Sequence, residues 1–309
     1  MKKSYIIHTN DFPTHGTHFF MTEKLNKGFN HCGLENLILN SFDDVEDSDD
    51  QIFIICDNFY DNRRSDFLDV FDYLANRFSK TTWLMWSFHN IIENHYLDRQ
   101  FPFKKYIFTG EYYRKPNINI LGNQFKKYIE HSNYVSLPFS ASIHPNEIDD
   151  FISRRRDIYD VGFSGAPYKG EWLNKLNNNF NCYIHHYPPF ISNEERIQNA
   201  FLDSKICLAF NADMNAKLGL PSERTFEGLA YGCVVLSDTE IIVEITDGIV
   251  EFINSYEELE NKVKFYRDNN SARLEKQKLG IQYAKTKGTY FHVAQNFINQ
   301  ILKNVNIRR

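Results

Sequence analysis

Pro221–Asp238, PSERTFEGLAYGCVVLSD, reads as a helix that runs directly into a buried strand. Pro221-Ser222 is a helix start, and Phe226, Leu229, Ala230 and Cys233 then recur at helical spacing. Gly232 stops the helix, because glycine accepts the left-handed backbone at a helix C-terminus. The run Cys233-Val234-Val235-Leu236-Ser237 is apolar without alternation, as in a parallel strand covered on both faces. On a helical wheel Glu223 and Glu227 fall together at the border of the apolar stripe, with Arg224 one position round. Two readings stay open from these residues. In one, Arg224 and Glu227 pair on a surface helix, worth roughly 0.2–0.5 kcal/mol. In the other, the charges emerge beside a helix start whose N–H groups favour an anion, and meet a phosphate and sugar hydroxyls.

Upstream, Tyr159–Ser164 reads as a strand entering the turn Gly165-Ala166-Pro167-Tyr168-Lys169-Gly170, with a helix over Glu171–Asn178. Such a turn either brings backbone N–H groups onto a diphosphate, with Lys169 adding a cation, or is an ordinary connection with an exposed lysine. Cys182–His185 is a strand, and Ser192–Glu195 a capping box opening a helix to about Ser204. Ile206–Phe210 is the next strand, and Asn211–Leu220 a long polar loop. Downstream, Ser255–Glu258 is a second capping box, followed by helices to about Lys285. Tyr290–Val305 carries a broad apolar stripe that must be buried, and a return across the first domain is one solution.

The first half alternates in the same way. Strands are expected at Ser4–His8, Gln51–Cys56, Thr82–Ser87, Lys105–Thr109 and Tyr134–Leu137, with helices at Thr17–Lys27, ending at Gly28, and at Asp66–Phe78. Alternating strands and helices imply a parallel sheet covered on both faces. The loop HTNDFPTHG lacks GxGxxG spacing, and no GxxxxGK[ST] occurs. The acidic run SFDDVEDSDD at 41–50 reads as a solvated connection rather than a metal site. Ligands gather beyond the carboxyl ends of parallel strands, where His89 and, in the first loop, His15 fall. Each is a candidate base or acceptor-hydroxyl contact, although a lone histidine there is commonly structural. Arg154–Arg156 read as a solvated helix end, with phosphate or lipid headgroups as the alternative partner.

With 309 residues, two domains are expected. A net charge of −5 gives no electrostatic case for a nucleic-acid partner. Five scattered cysteines without a CxxC pair indicate reduced thiols in a cytoplasmic protein. No signal peptide is expected, and no stretch approaches the roughly 20 apolar residues of a membrane span.

The order of these landmarks resembles the GT-B glycosyltransferases, closest to the family-4 type and its spore-maturation-like relatives. The segment DFPTHGTHFFMTEKLNKGFNHCG is similar to that family's glycine loop, helix and "GH" turn, with His15-Gly16 where Gly-Gly is usual. Ser87-Phe88-His89-Asn90 falls where these enzymes often carry an acceptor-side histidine, and YVSLPFSASIHP resembles the segment closing the first domain. VGFSGAPYKG resembles the "GR…KG" turn, which puts Lys169 at the donor diphosphate. PSERTFEGLAYGCVVLSD resembles "E…LEAMACG.PVV", where Glu227 matches the glutamate that holds the donor ribose. Arg224 matches an arginine common in the spore-maturation-like branch. A family glutamate eight positions before Glu227 is replaced by Gly219, which leaves open whether Glu223 substitutes; Glu244 matches a further glutamate read as structural.

The resemblance implies two Rossmann-like domains with a cleft between them: an acceptor domain at 1–148, a donor domain at 149–288, and a C-terminal helix at 289–309 returning to the first. It implies transfer of a sugar from a nucleotide-diphosphate sugar to a glycan, lipid-linked or protein acceptor, without a metal or other cofactor. Donor contacts are expected from Ser164, Gly165, Lys169, Glu223, Arg224, Thr225 and Glu227, and an acceptor-side base from His89 or His15. A lipid-linked acceptor implies peripheral contact with the inner membrane face, assisted by Arg154–Arg156 or Arg308-Arg309. SERTFEGLAYGCVVL also resembles, more weakly, the donor motif of α1,3-fucosyltransferases, which implies a GDP-sugar. A GT-B-fold sugar-nucleotide epimerase and a non-catalytic glycan-binding paralogue are the remaining alternatives.

Overall fold

A computed structural model describes residues 3–7, 17–33, 35–39, 45–49, 51–56, 73–87, 106–110, 134–136, 139–187, 191–217 and 219–306. The chain divides into two compact units: Met1–Pro138 with Val293–Arg309, and Phe139–His292.

In the first unit the elements are β1 (Lys3–Ile7), α1 (Thr17–His31), β2 (Glu35–Leu39), β3 (Gln51–Cys56), β4 (Thr82–Ser87), β5 (Tyr106–Gly110) and β6 (Tyr134–Ser136). They form a parallel sheet in the order β2-β1-β3-β4-β5-β6. β2 has no counterpart among the expected strands. The first helix passes through Gly28 instead of ending there, because Leu25, Gly28 and Phe29 share its buried side. Phe53 anchors the core, with Phe78 and Trp83 edge-on at 4.7 and 5.1 Å. One member of the acidic run is structural rather than solvated: Asp47 accepts from the amides of Lys80 and Thr81 at 3.0–3.2 Å.

The second unit contains α2 (Ile148–Ile152), β7 (Tyr159–Gly165), α3 (Gly170–Asn179), β8 (Cys182–His186), α4 (Asn193–Arg196), a π-helical segment (Ile197–Leu202) and β9 (Ser204–Ala209). There follow α5 (Asp213–Lys217), α6 (Glu223–Ala230), β10 (Val234–Ser237), α7 (Ile241–Ile245), β11 (Glu251–Phe252), α8 (Tyr256–Asp268) and α9 (Asn270–Thr286). The last helix, α10 (Tyr290–Asn306), starts in this unit and continues in the first, where Phe297 lies 6.1 Å from Phe29. α5 occupies ground expected to be loop.

Both capping boxes form their N-cap bond: Ser192 accepts from Glu195 N and Ser255 from Glu258 N. The parallel sheet runs β11-β10-β9-β7-β8, so the chain steps from β7 to β8 on one side, then to β9 on the other. That reversal makes the β7/β9 boundary the topological switch point, beyond whose carboxyl ends open parallel sheets bind their ligands. Val161, Phe163, Ile206, Leu208, Val234 and Leu236 bury one sheet face. α6 covers the other face, where a Cβ on Gly228 would stand 2.8 Å from Val235 and 3.1 Å from Cys207. Only glycine permits that approach, and it fixes where the start of α6 falls.

Arg154 and Arg156 are exposed just past the end of α2, as expected of a solvated helix end, but Arg155 turns inward. Arg155 donates to the carbonyls of Tyr231, Ser204 and Phe201 at 2.5, 2.8 and 3.3 Å, and pairs with Asp157. Arg156 pairs with the buried Asp203, and Arg154 stacks over Phe151 at 4.1 Å.

Candidate functional site

Ser222 caps α6 by accepting from Arg224 N at 3.3 Å. From this first turn the Arg224 side chain reaches the switch point. Its Nη1 donates to Ser164 O, on β7, at 3.5 Å; its Nη2 donates to Phe210 O, just past β9; and the guanidinium lies 5.2 Å over the Phe163 ring. Nε is buried without a partner among the described residues. Burial lowers the guanidinium's pKa, yet an arginine stays charged at any ordinary pH. A Cβ on Gly165 would stand 2.5 Å from Arg224 Nη1, so the missing side chain is what admits the cation.

Lys169 follows in the turn after β7. It has a left-handed backbone, φ 58°, a conformation costing a non-glycine residue about 1 kcal/mol. Its Nζ lies 2.9 Å from Asp213 Oδ1 and 5.2 Å over the Trp172 ring. The hydrogen bond and charge of Lys169 hold the Asp213 carboxyl below its usual range. At the end of β10, Asp238 accepts from Asn211 N through both oxygens, at 3.0 and 3.2 Å. Burial pushes its pKa up to about 6, against the Asn211 bond and the charge of Lys169.

Glu227 has no exposed surface. Its Oε2 lies 2.6 Å from Arg196 Nη1; its Oε1 accepts from Arg196 Nη2 at 3.1 Å and from Ser142 Oγ at 3.2 Å. The surface pair between Arg224 and Glu227 is therefore absent: Arg224 turns to the strand ends and Glu227 turns to Arg196. Thr225 is fully buried and its Oγ1 has no partner, while Glu223 is half-buried in the same turn. Gly219 has φ 72°, and a Cβ there would touch Ile241. Glu244 lies in α7.

Ser164, Gly165 and Arg224 thus come together at the carboxyl ends of β7 and β9, with Thr225 next to Arg224 in the first turn of α6. Lys169 is tied to those ends through Asp213, and Glu227 sits one turn deeper in α6. His15 and His89 lie outside the described residues. Arg196, His185 and Asp238 were not signalled by the sequence, because each acquires its meaning from a partner more than 20 residues away. Among the described residues, His185 Nε2, His186 Nδ1, Arg224 Nε and Thr225 Oγ1 are buried without a hydrogen-bond partner. Unpartnered buried polar atoms are rare in folded proteins, so Arg224 Nε and His185 Nε2, on side chains that both meet Ser164, point to a ligand.

A family model described as glycosyl transferase-like matches residues 148–299. No curated protein matches the chain. Among solved structures, the apo structure of OtsA aligns with a TM-score of 0.53 at 9% identity, covering 97% of this chain and 99% of its own. An α1,3-fucosyltransferase aligns at 0.47 with 11% identity, covering 98% and 91%. The N-terminal domain of Candida albicans trehalose-6-phosphate phosphatase aligns at 0.49 with 6% identity, covering 98% and 96%. The first of these shares the fold of this chain. Residues 148–299 thus match a glycosyl transferase-like family model, in a chain with the GT-B fold of two Rossmann-like parallel-sheet units.

Proposed function

We propose that the protein is a glycosyltransferase that moves a sugar from a nucleotide-diphosphate sugar to a glycan, lipid-linked or protein acceptor, with the donor held by the second unit. The observation that carries this reading is the Arg224 guanidinium laid across the ends of β7 and β9 with a buried, unpartnered Nε. A cation at the topological switch point of a parallel sheet suits a diphosphate. Lys169 adds the second positive charge, and the Ser164-Gly165 backbone allows close approach. Together these cations offset the charge that develops on the leaving diphosphate, so the reaction needs no metal. Glu227 takes the donor ribose. Its Oε1, shared with Ser142 at 3.2 Å, is the oxygen a ribose hydroxyl would take over. Glu223 and Thr225 line the same turn. On the acceptor side, His89 follows β4 and His15 follows β1 in sequence. If the reaction inverts, His89 is the base. If it retains, the leaving phosphate takes the proton.

Among the described residues no helix is long and apolar enough to cross a membrane. With a lipid-linked acceptor the protein works at the inner membrane face. Arg155 is engaged within the fold, which leaves the exposed Arg154 and Arg156 for that contact.

A thermal-shift panel of UDP, ADP and GDP, each with its nucleoside, tests the donor reading. One diphosphate raises Tm, with or without EDTA, and Arg224→Ala abolishes the shift. A response to GDP alone favours a GDP-sugar donor. Silence from every diphosphate overturns the proposal.

A further inference from the structure

The site continues onto β8, a strand that contributes no residue to the donor set above. We infer that His185 is a further donor-binding residue, giving a hydrogen bond from Nε2 to the diphosphate; this rests on the nucleotide-sugar reading. Parallel pairing sets His185 opposite Ser164 and His186 opposite Gly165. Tyr187 N donates to Gly165 O at 3.0 Å, which holds the end of β8 against the turn. The His185 Nδ1 lies 3.4 Å from Ser164 Oγ, its ring meets Tyr187 edge-on at 5.4 Å, and its Nε2 is buried without a partner.

Ser164 is therefore flanked twice: Arg224 holds its carbonyl and His185 faces its hydroxyl. Each flanking side chain keeps one buried nitrogen unmatched. With the Ser164 hydroxyl donating to Nδ1, the ring proton resides on Nε2, which becomes a donor. An anion satisfies that N–H and the Arg224 Nε–H together. A polar edge of base or sugar that takes only His185 leaves the arginine orphaned.

Calorimetric titration of the full chain with the diphosphate selected by the panel, and with its nucleoside, tests the assignment. His185→Phe weakens the diphosphate about tenfold and leaves the nucleoside within about twofold, as expected for one hydrogen bond to a charged group. His185→Gln, which keeps a donor, recovers much of the loss, and His185→Leu, which lacks one, replaces His185→Phe with the same expected tenfold loss should that variant fail to fold. Equal weakening of both ligands marks a structural histidine and overturns the inference. Unchanged diphosphate binding does the same; if Arg224→Ala still abolishes binding, the donor reading survives. Where the unaltered protein binds no diphosphate, the donor reading falls and this inference falls with it.

Discussion

Helix α6 has a guanidinium at each end, and the two are treated differently. At its C-terminal end Arg155 meets the carbonyls of Tyr231, Ser204 and Phe201 and the carboxylate of Asp157, so the charge is matched by groups of the fold itself. At the N-terminal end Arg224 meets two strand-end carbonyls and an aromatic face, and among the described residues no carboxylate is bonded to it and Nε is unmatched. A cation beside helix-terminal carbonyls is stabilised by the helix dipole, whereas one beside the free N–H groups of a helix start is not. The first arrangement is that of a staple. The second leaves positive charge in reserve at the switch point, which is what an anionic ligand needs.

The comparison breaks most readily at Arg155. Arg155→Ala leaves the half-buried Asp157 carboxylate and three carbonyls unmatched, and should lower unfolding free energy by about 3 kcal/mol in a urea titration. Diphosphate affinity in the folded fraction should hardly move. Arg224→Ala reverses the pattern, with affinity falling about 100-fold by calorimetry, or roughly 2.7 kcal/mol, and a stability loss well below that of Arg155→Ala. Equal destabilisation by the two variants would erase the distinction. Gly165→Ala sharpens it. A methyl group 2.5 Å from Nη1 must displace the guanidinium, lowering stability by roughly 1–3 kcal/mol and weakening diphosphate binding while Arg224 itself is intact.

The smallest effect concerns Asp238. Its folded pKa of about 6 lies above the ordinary 3.8, so the folded state holds the proton more tightly than the unfolded chain. That contribution is full below the ordinary value and is lost as pH rises through about 6. Asp238→Asn keeps an acceptor for Asn211 N without the buried charge. It should gain roughly 1–2 kcal/mol at pH 7 and lose the decline between pH 4 and 6. Denaturation curves across that range decide it, and an undiminished decline assigns the titration elsewhere.

Much of the fold was legible from periodicity, since strand and helix spacing is a property of contiguous residues. The helix start at Ser222, the strand after Gly232 and both N-cap bonds appear where the residue types put them. The errors share a cause. Gly28 resembles a stop but lies on a buried helix face, and Arg155 belongs to a charged run but points inward. In each, packing against distant chain overrode the local signal.

The site divides along the same line. Sequence by itself determined that Lys169 follows a strand in a glycine-bearing turn, and that Glu223, Arg224, Thr225 and Glu227 crowd the start of one helix. Only the tertiary structure decided which charge meets which partner. Glu227 is matched by Arg196, 31 residues away, and Arg224 reaches a carbonyl 60 residues away. The crossover from β8 past β7 to β9 makes that boundary the switch point, and it brings His185 beside Ser164. The physical reason is that periodicity reports which face of an element is buried. The partner of a buried charge is set by strand order, and no spacing within the helix encodes that.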